Sequence, residues 1–358
     1  ISANFDGVEI VGTGTMSNTI IGNYIGTDIS GTAVISNGCG VTIWDGASWN
    51  TVGGVTSGER NLISGNREDG IALYSDGTTN NVILGNYIGT DISGMTALPN
   101  LMGGIGFWEG PSNNTIGGGV AGARNLISCN EGSGISIGGS GTTSNTIRYN
   151  YIGTNVNGTQ PMSNTMYGVE LHNGTTGNLI EGNLVSGNDD YGVFLSSVTS
   201  NTVRSNLIGT DYTGAIALGN AGSGIVVCSS AENWIEGNLI SGNGDNGIEI
   251  RKTTATSNTV AGNRIGTDIS GATALPNTLD GVAIIDSAQR SWIGPENIIA
   301  FNGMNGVSVD GSDTLGHTIT TNSIFSNTDK GILLTDGGNG GIISPTIVSA
   351  TPTEINGT

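Results

Sequence analysis

Positive charge is what this chain has least of. Its 358 residues hold 10 Lys+Arg against 29 Asp+Glu, a formal net charge of −19. No nucleic-acid partner is expected on that basis, because neutralising backbone phosphates takes many cations. Long apolar runs are missing as well: no stretch of 18 consecutive apolar residues occurs, so no membrane insertion is expected. Prolines number 7 and glycine does not recur at every third position, which excludes a collagen triple helix. Cysteine is confined to Cys39, Cys129 and Cys228, an odd set without CxxC spacing, expected as free thiols rather than a disulfide or metal set. With only two histidines, His172 and His317, a histidine-rich zinc site is excluded. Charged residues make up 11% of the chain, and apolar residues recur regularly at 35%, which argues against disorder. No basic-then-apolar leader follows Ile1. The Gly/Asn/Thr/Ser-rich, acidic, lysine-poor composition is that of a secreted or cell-surface bacterial protein.

Against these scarcities stand 63 glycines and a repeat. The pattern Gly, apolar, any, apolar begins at Gly7, Gly40, Gly70, Gly104, Gly134, Gly168, Gly192, Gly224, Gly247, Gly281, Gly306 and Gly331, 23 to 34 residues apart. Alternation with period two marks short strands rather than helices. A second signal follows each strand, as in Asn18-Thr19-Ile20-Ile21-Gly22-Asn23-Tyr24-Ile25. Two copies carry an insertion: Asn50-Thr51-Val52 resumes at Asn61, and Asn114-Thr115-Ile116 at Asn125. Each unit thus holds three very short strands, too little apolar surface to close a core alone. Stacking unit on unit solves this and predicts an all-β parallel solenoid of about twelve coils, each strand pairing with its copy one coil on. Val8, Ile10, Ile20 and Ile25 are predicted to point inward. The glycines opening each first strand are expected to serve bends with unusual dihedrals. Residues 1–340 form one domain in this reading, and 341–358 a Pro-containing extended tail, a cap or the start of a following domain. Because Ile1 aligns with the middle of a coil, a preceding coil or a second copy stacked end to end is expected there.

Aligning the coils places Asn23, Asn61, Asn86, Asn125, Asn150, Asn183, Asn206, Asn238, Asn263, Asn297 and Asn322 in one column. A side-chain amide both donates and accepts, so this column is predicted to be a structural ladder. The repeats, Asn-x-Ile-x-Gly-Asn-x-Ile-Gly-Thr-Asp-x-Ser-Gly and Arg-Asn-Leu-Ile-Ser-Gly-Asn, resemble those of the right-handed parallel β-helix proteins of the pectate-lyase-like superfamily. They are most similar to the repeat tracts of large bacterial secreted and cell-surface proteins. The resemblance implies a right-handed coil. It implies no single activity, since that superfamily includes lyases, hydrolases, epimerases, tailspikes and adhesins.

Three sets of residues could carry chemistry. Asp28, Asp91, Asp211 and Asp268 recur in Gly-Thr-Asp-x-Ser/Thr-Gly, with Asn155 in a fifth copy. Calcium favours such oxygen-rich loops. The alignment, however, interleaves these aspartates with Asn66, Asn130, Asn188 and Asn243, which favours a turn or ladder role over a shared calcium site. Trp44, Tyr74 and Trp108 fall at one outward position on adjacent first strands and are expected to stack as an exposed aromatic strip suited to sugar rings. Glu170 and His172 are the only pair to nominate for catalysis by a polysaccharide lyase or glycoside hydrolase. Glu249 lies three coils from Glu170, about 14 Å in an ideal stack, beyond the carboxylate spacing of a hydrolase. Arg148 and Arg204 share a column and offer a grip for an acidic polymer or, more simply, a solvated face. His317 replaces an asparagine of a ladder. The uniform repeat favours a non-catalytic extracellular stalk, adhesin or filament segment, with end-to-end self-association. A polysaccharide-active enzyme or a carbohydrate-binding module is the alternative, and a polysaccharide or cell-surface glycan the expected ligand.

Overall fold

A computed structural model describes residues 1–120, 122–340, 347–351 and 354–357. The alternating tetrapeptides form a 12-stranded parallel sheet, from Val8–Val11 and Val41–Trp44 through to Ile332–Thr335. Two further parallel sheets of 11 strands run from Thr19–Ile20 to Thr318–Ile319 and from Tyr24–Ile25 to Ser323–Phe325. Within each sheet, neighbours are successive copies of the same strand, so the chain is a right-handed parallel β-helix. The register is straight: Val8 faces Val41, Val41 faces Ile71, and Ile71 faces Ile105. Residues 347–351 and 354–357 pair antiparallel; the remainder of the 341–358 segment lies outside the described residues. Among the described residues, no helix is long and apolar enough to cross a membrane.

Strands of two to four residues hold because their inward side chains merge into one continuous core. Ile10, Ile25, Val41, Ile43, Ile71, Leu73 and their copies belong to a single buried cluster, with Val8 and Ile20 packed against it. Each such side chain contributes about 1.5–3 kcal/mol on leaving water.

Three asparagine ladders, not one, run along the corners. In the column from Asn23 to Asn322, each Oδ1 accepts from the side-chain amide one coil earlier, as in Asn23 to Asn61 at 3.2 Å and Asn125 to Asn150 at 2.9 Å. The other Nδ2 hydrogen ties down a corner carbonyl, such as Ile83 O at 2.9 Å from Asn125. A second ladder runs from Asn18 to Asn258, and further along the same corner Ser291 N–H donates to His317 Nδ1 and His317 N–H to Asn339 Oδ1. A third runs from Asn37 to Asn327.

This third ladder corrects the alignment of the aspartates. The residues in column with Asn66 and Asn130 are Asn37 and Asn100, whose amides donate to them at 3.0 and 2.9 Å. Asp28, Asp91, Asp211 and Asp268 stand instead in small hairpin excursions, closed by antiparallel bridges such as Thr27 to Val34 and Thr90 to Ala97. Excursions two coils apart touch through one backbone hydrogen bond, for example Ile92 N–H to Gly31 O at 3.2 Å.

The glycines opening each first strand also have a different reason from the expected one. Gly104 and Gly134 do not adopt the left-handed conformation. A Cβ on Gly134 would lie 2.7 Å from Ile152 Cγ2 and 2.8 Å from the Gly168 carbonyl oxygen. Close approach of the next coil, not torsion, excludes a side chain there.

Candidate functional site on the first sheet

The strands of the first sheet alternate inward and outward residues, so their outer face presents columns of side chains one coil apart. Trp44, Tyr74, Trp108, Gly138 and His172 do share one column, with Tyr74 facing Trp108, Trp108 facing Gly138 and Gly138 facing His172. The rings nevertheless diverge. Trp44 turns back one coil and donates Nε1–H to the Glu9 carboxylate at 2.9 Å. The His172 imidazole leans back over Gly138, where a Cβ would strike it, and meets Trp108 edge-on with centroids 5.5 Å apart. A continuous three-ring strip is therefore not formed. Tyr74, Trp108, Glu109, His172 and Asn173 line a shallow groove of about 440 Å³.

Glu170 and His172 are brought together by a residue that sequence reasoning missed. Ser136, one coil earlier, donates its hydroxyl hydrogen to Glu170 Oε2 at 3.1 Å and lies 3.2 Å from His172 Nε2. Since Ser136 has one hydrogen, donation to Glu170 leaves its oxygen to accept from the Nε2–H of His172.

Beside this trio lies an aromatic patch. Tyr167 and Tyr191 stack with centroids 5.4 Å apart and planes 7° from parallel, and Phe194 packs on both at 4.7 and 5.6 Å. All three are half-buried. The two tyrosines precede Gly168 and Gly192, the residues that open consecutive first strands, and that position is where a signal existed. On the far flank Arg251 pairs with Glu249 at 2.8 Å and stands 5.8 Å above the Tyr191 ring. Asn246 Nδ2 donates to the other Glu249 oxygen at 3.2 Å. The face thus reads Glu170–Ser136–His172, then three rings, then Glu249–Arg251.

Other nominated groups are accounted for locally. Asp28 accepts from Ser30 Oγ at 2.6 Å and from the Thr32 and Ala33 amides, and those bonds, Ser30 foremost, lower its pKa to about 2. Ser270 Oγ does the same for Asp268, also about 2. Burial pushes Asp91 up, yet hydrogen bonds from Ser93, Met95 and Thr96 outweigh it and leave the pKa lowered. Asp211 holds its excursion through Thr213 Oγ1 at 2.8 Å. Arg204 pairs with Glu181 at 2.7 Å, and Arg148 faces the same Glu181 across the sheet. The three cysteines are free. Burial, then the hydrogen bond to Glu68, pushes the Cys39 thiol up to about 12, and burial takes Cys129 to about 12. A buried carboxyl that the sequence reading passed over, Asp69, accepts from Gly103 N–H at 2.7 Å and is pushed up to about 6 by burial.

These features define a right-handed parallel β-helix protein with a polar and aromatic outer face on its first sheet. Within that class the chain belongs to the NosD family, described as periplasmic copper-binding protein: residues 89–274, more than half of the chain, match it. No curated protein matches the chain. Among solved structures, the periplasmic alginate epimerase AlgG is 14% identical, with a TM-score of 0.41 over 83% of this chain and 61% of that one. The A-module of the Azotobacter vinelandii mannuronan C-5 epimerase AlgE6 is 16% identical, with a TM-score of 0.44 over 86% of this chain and 79% of that one. The Dettilon tailspike protein is 16% identical, with a TM-score of 0.47 over 89% of this chain and 60% of that one. The chain spans less than two thirds of AlgG and of the tailspike, and the β-helix assignment stands on the three sheets themselves.

Proposed function

We propose that this chain is a non-catalytic, glycan-binding β-solenoid of the bacterial cell envelope, acting as an adhesive or stalk segment. The observation that carries the reading is the half-exposed cluster of Tyr167, Tyr191 and Phe194 between two polar groups. Flat rings pack on the apolar faces of sugars, and flanking carboxylate, hydroxyl and guanidinium groups bond to sugar hydroxyls. Membership of a family described as periplasmic supports an envelope location; display at the cell surface belongs to the proposal.

Two features favour binding over catalysis. Glu249, the other glutamate of this outer face, is three strands from Glu170 and ion-paired to Arg251, so the two do not form a hydrolase pair. Ser136 bonds to both Glu170 and His172, so neither is an unencumbered base.

The copper of the family description does not fit these residues. Among the described residues, no group of three or more His, Cys, Asp or Glu side chains could hold a metal ion. His317 uses both ring nitrogens inside the ladder, against Ser291 N–H at 3.1 Å and Ala288 O at 3.0 Å. Calcium has no assigned role in this reading, since the aspartates of the excursions already accept donors of their own loops.

The test is a polysaccharide panel incubated with purified protein, with and without calcium, scoring retention and new reducing or unsaturated ends. Retention without cleavage, unchanged by calcium, is expected. New chain ends would overturn the non-catalytic reading and direct attention to Glu170 and His172; no retention would remove the glycan. End-to-end self-association is the filament part of the proposal. Concentration-dependent sedimentation tests it, and a constant monomer would remove it.

A further inference from the structure

The loops that carry the two insertions contribute Arg60 on one side and Gly118, Val120 and Arg124 on the other to a pocket of about 430 Å³ beside the third sheet, away from the face described above. Each insertion ends in an arginine directly before a ladder asparagine: Arg60 before Asn61, Arg124 before Asn125. The Arg60 guanidinium lies 4.0 Å over the ring of Tyr87, and that of Arg124 lies 3.7 Å over the ring of Tyr151. Tyr87 and Tyr151 both register against Leu126, so the two stacked pairs sit two coils apart, about 10 Å along the axis. Stacking fixes each guanidinium plane and leaves its in-plane N–H groups to an anion.

Those N–H groups have no protein anion to satisfy. Neither arginine takes part in an ion pair among the described residues. Arg60 Nε is buried and without a partner. No carboxylate lines the pocket. The acid nearest in sequence, Glu59, is turned into its own loop, where Oε2 accepts from Val55 N–H at 3.1 Å and Thr56 N–H at 3.0 Å. In a chain with 10 cationic side chains and a net charge of −19, two arginines converging on one acid-free pocket is a local reversal of sign.

Tyr149 supplies a second, independent observation. It is exposed, at 41%, and holds a left-handed backbone with φ of 56°. The same place, directly before the ladder asparagine, is glycine at Gly85, Gly182, Gly237 and Gly262 and a polar residue at Ser205, Glu296 and Thr321, all at positive φ; Tyr149 alone of these sets an aromatic ring there. A tyrosine is disfavoured there, and its ring is accommodated only because Gly119 and Gly182 flank it: a Cβ on them would lie 3.2 and 2.5 Å from the ring. A strained, exposed ring set into the wall of a two-arginine pocket is a feature that points to a ligand with a flat apolar face and negative charge.

We propose that this pocket binds an acidic saccharide, its carboxylate or sulfate groups taken by Arg60 and Arg124 and a sugar ring laid on Tyr149. The charges it accepts are two strand spacings apart, which suits a chain of charged sugars running along the helix axis. This site is separate from the first-sheet face and stands whether or not that face binds glycan.

Isothermal titration of the full chain tests it with four probes: oligogalacturonate, sulfated dextran oligomers, neutral dextran oligomers and inorganic phosphate. Binding of a carboxylated or sulfated oligomer that weakens with salt is expected, and which of the two binds identifies the anion. The neutral oligomer and phosphate should not bind comparably. The double variant Arg60→Gln/Arg124→Gln should weaken binding at least tenfold. Tyr149→Gly, which installs the residue found at Gly85, Gly182, Gly237 and Gly262 and therefore keeps the fold, should also weaken it several-fold. No binding of either charged oligomer, equal binding by the variants, or phosphate binding as tightly as the oligomers would overturn the proposal. Loss of binding in Tyr191→Ala, with the arginine variants unaffected, would move the ligand to the first sheet and overturn it likewise.

Discussion

The ring of Tyr167 lies on the ring of Tyr191, one coil further on, with centroids 5.4 Å apart and planes 7° from parallel. Residues 24 apart in sequence become one surface because both precede the glycine that opens a first strand. Replacing Tyr191 with alanine removes half of that surface while leaving the inward core untouched. Glycan retention on the panel should fall at least tenfold, about 1.4 kcal/mol, with the thermal midpoint little changed, whereas Tyr191→Phe should retain binding.

Asn125 is fully buried in the middle of its ladder. Asn125→Ala would strip an acceptor from the Asn86 amides, at 3.0 and 3.1 Å, and a donor from Ile83 O. Two or more buried polar groups left unpaired cost on the order of 3–5 kcal/mol. Denaturant unfolding should show that loss. A midpoint within error of the parent chain would mean that water replaces the amide and that the ladder is not what holds the corner.

Gly134→Ala should destabilise by about 1–3 kcal/mol through overpacking against the next coil. Gly331→Ala offers the control: it opens the last strand of the same sheet, and a Cβ there meets nothing closer than Ile324 Cγ2 at 3.6 Å. Equal effects at the two positions would return the explanation to backbone torsion.

His317 is held neutral in its ladder, with Nδ1 accepting from Ser291 N–H and Nε2 donating to Ala288 O. Burial lowers its pKa, against a smaller opposing effect of the Ala288 bond. The unfolded chain therefore binds a proton more readily than the folded one. Stability from this site is fully present above the unfolded pKa of about 6.5 and is lost as pH falls through the folded value. His317→Asn, restoring the residue usual in the ladder, should flatten that acid dependence in thermal unfolding between pH 7 and 5. A parallel decline in both proteins would locate the acid sensitivity elsewhere.

Much of the architecture was legible because it is written many times. The period-two alternation, the inward columns and the ladder from Asn23 to Asn322 all appear as repeats, and a repeat averages out local noise. The second ladder was harder to see, since Ser291 and His317 interrupt it. The third was hidden by the excursions at Asp28, Asp91, Asp211 and Asp268, which occur only in alternate coils and so shift the true partners, Asn37 and Asn100, out of alignment with Asn66 and Asn130. On the candidate site, the columns of Trp44, Tyr74, Trp108, Glu170 and His172 were readable, but the directions of their rings were not. A side chain's rotamer is set by the neighbours that crowd it, here Glu9 for Trp44 and the open space at Gly138 for His172.

By itself, the sequence determined that the chain coils, which residues point inward and which columns they join, because strand period and coil repeat are local and cumulative properties. The tertiary structure alone decided which columns meet as surfaces. Tyr167 with Tyr191, Ser136 between Glu170 and His172, and the two arginines sharing a pocket are contacts between coils. They depend on insertions, on the absence of a Cβ at single glycines and on rotamer choice, none of which a repeat encodes.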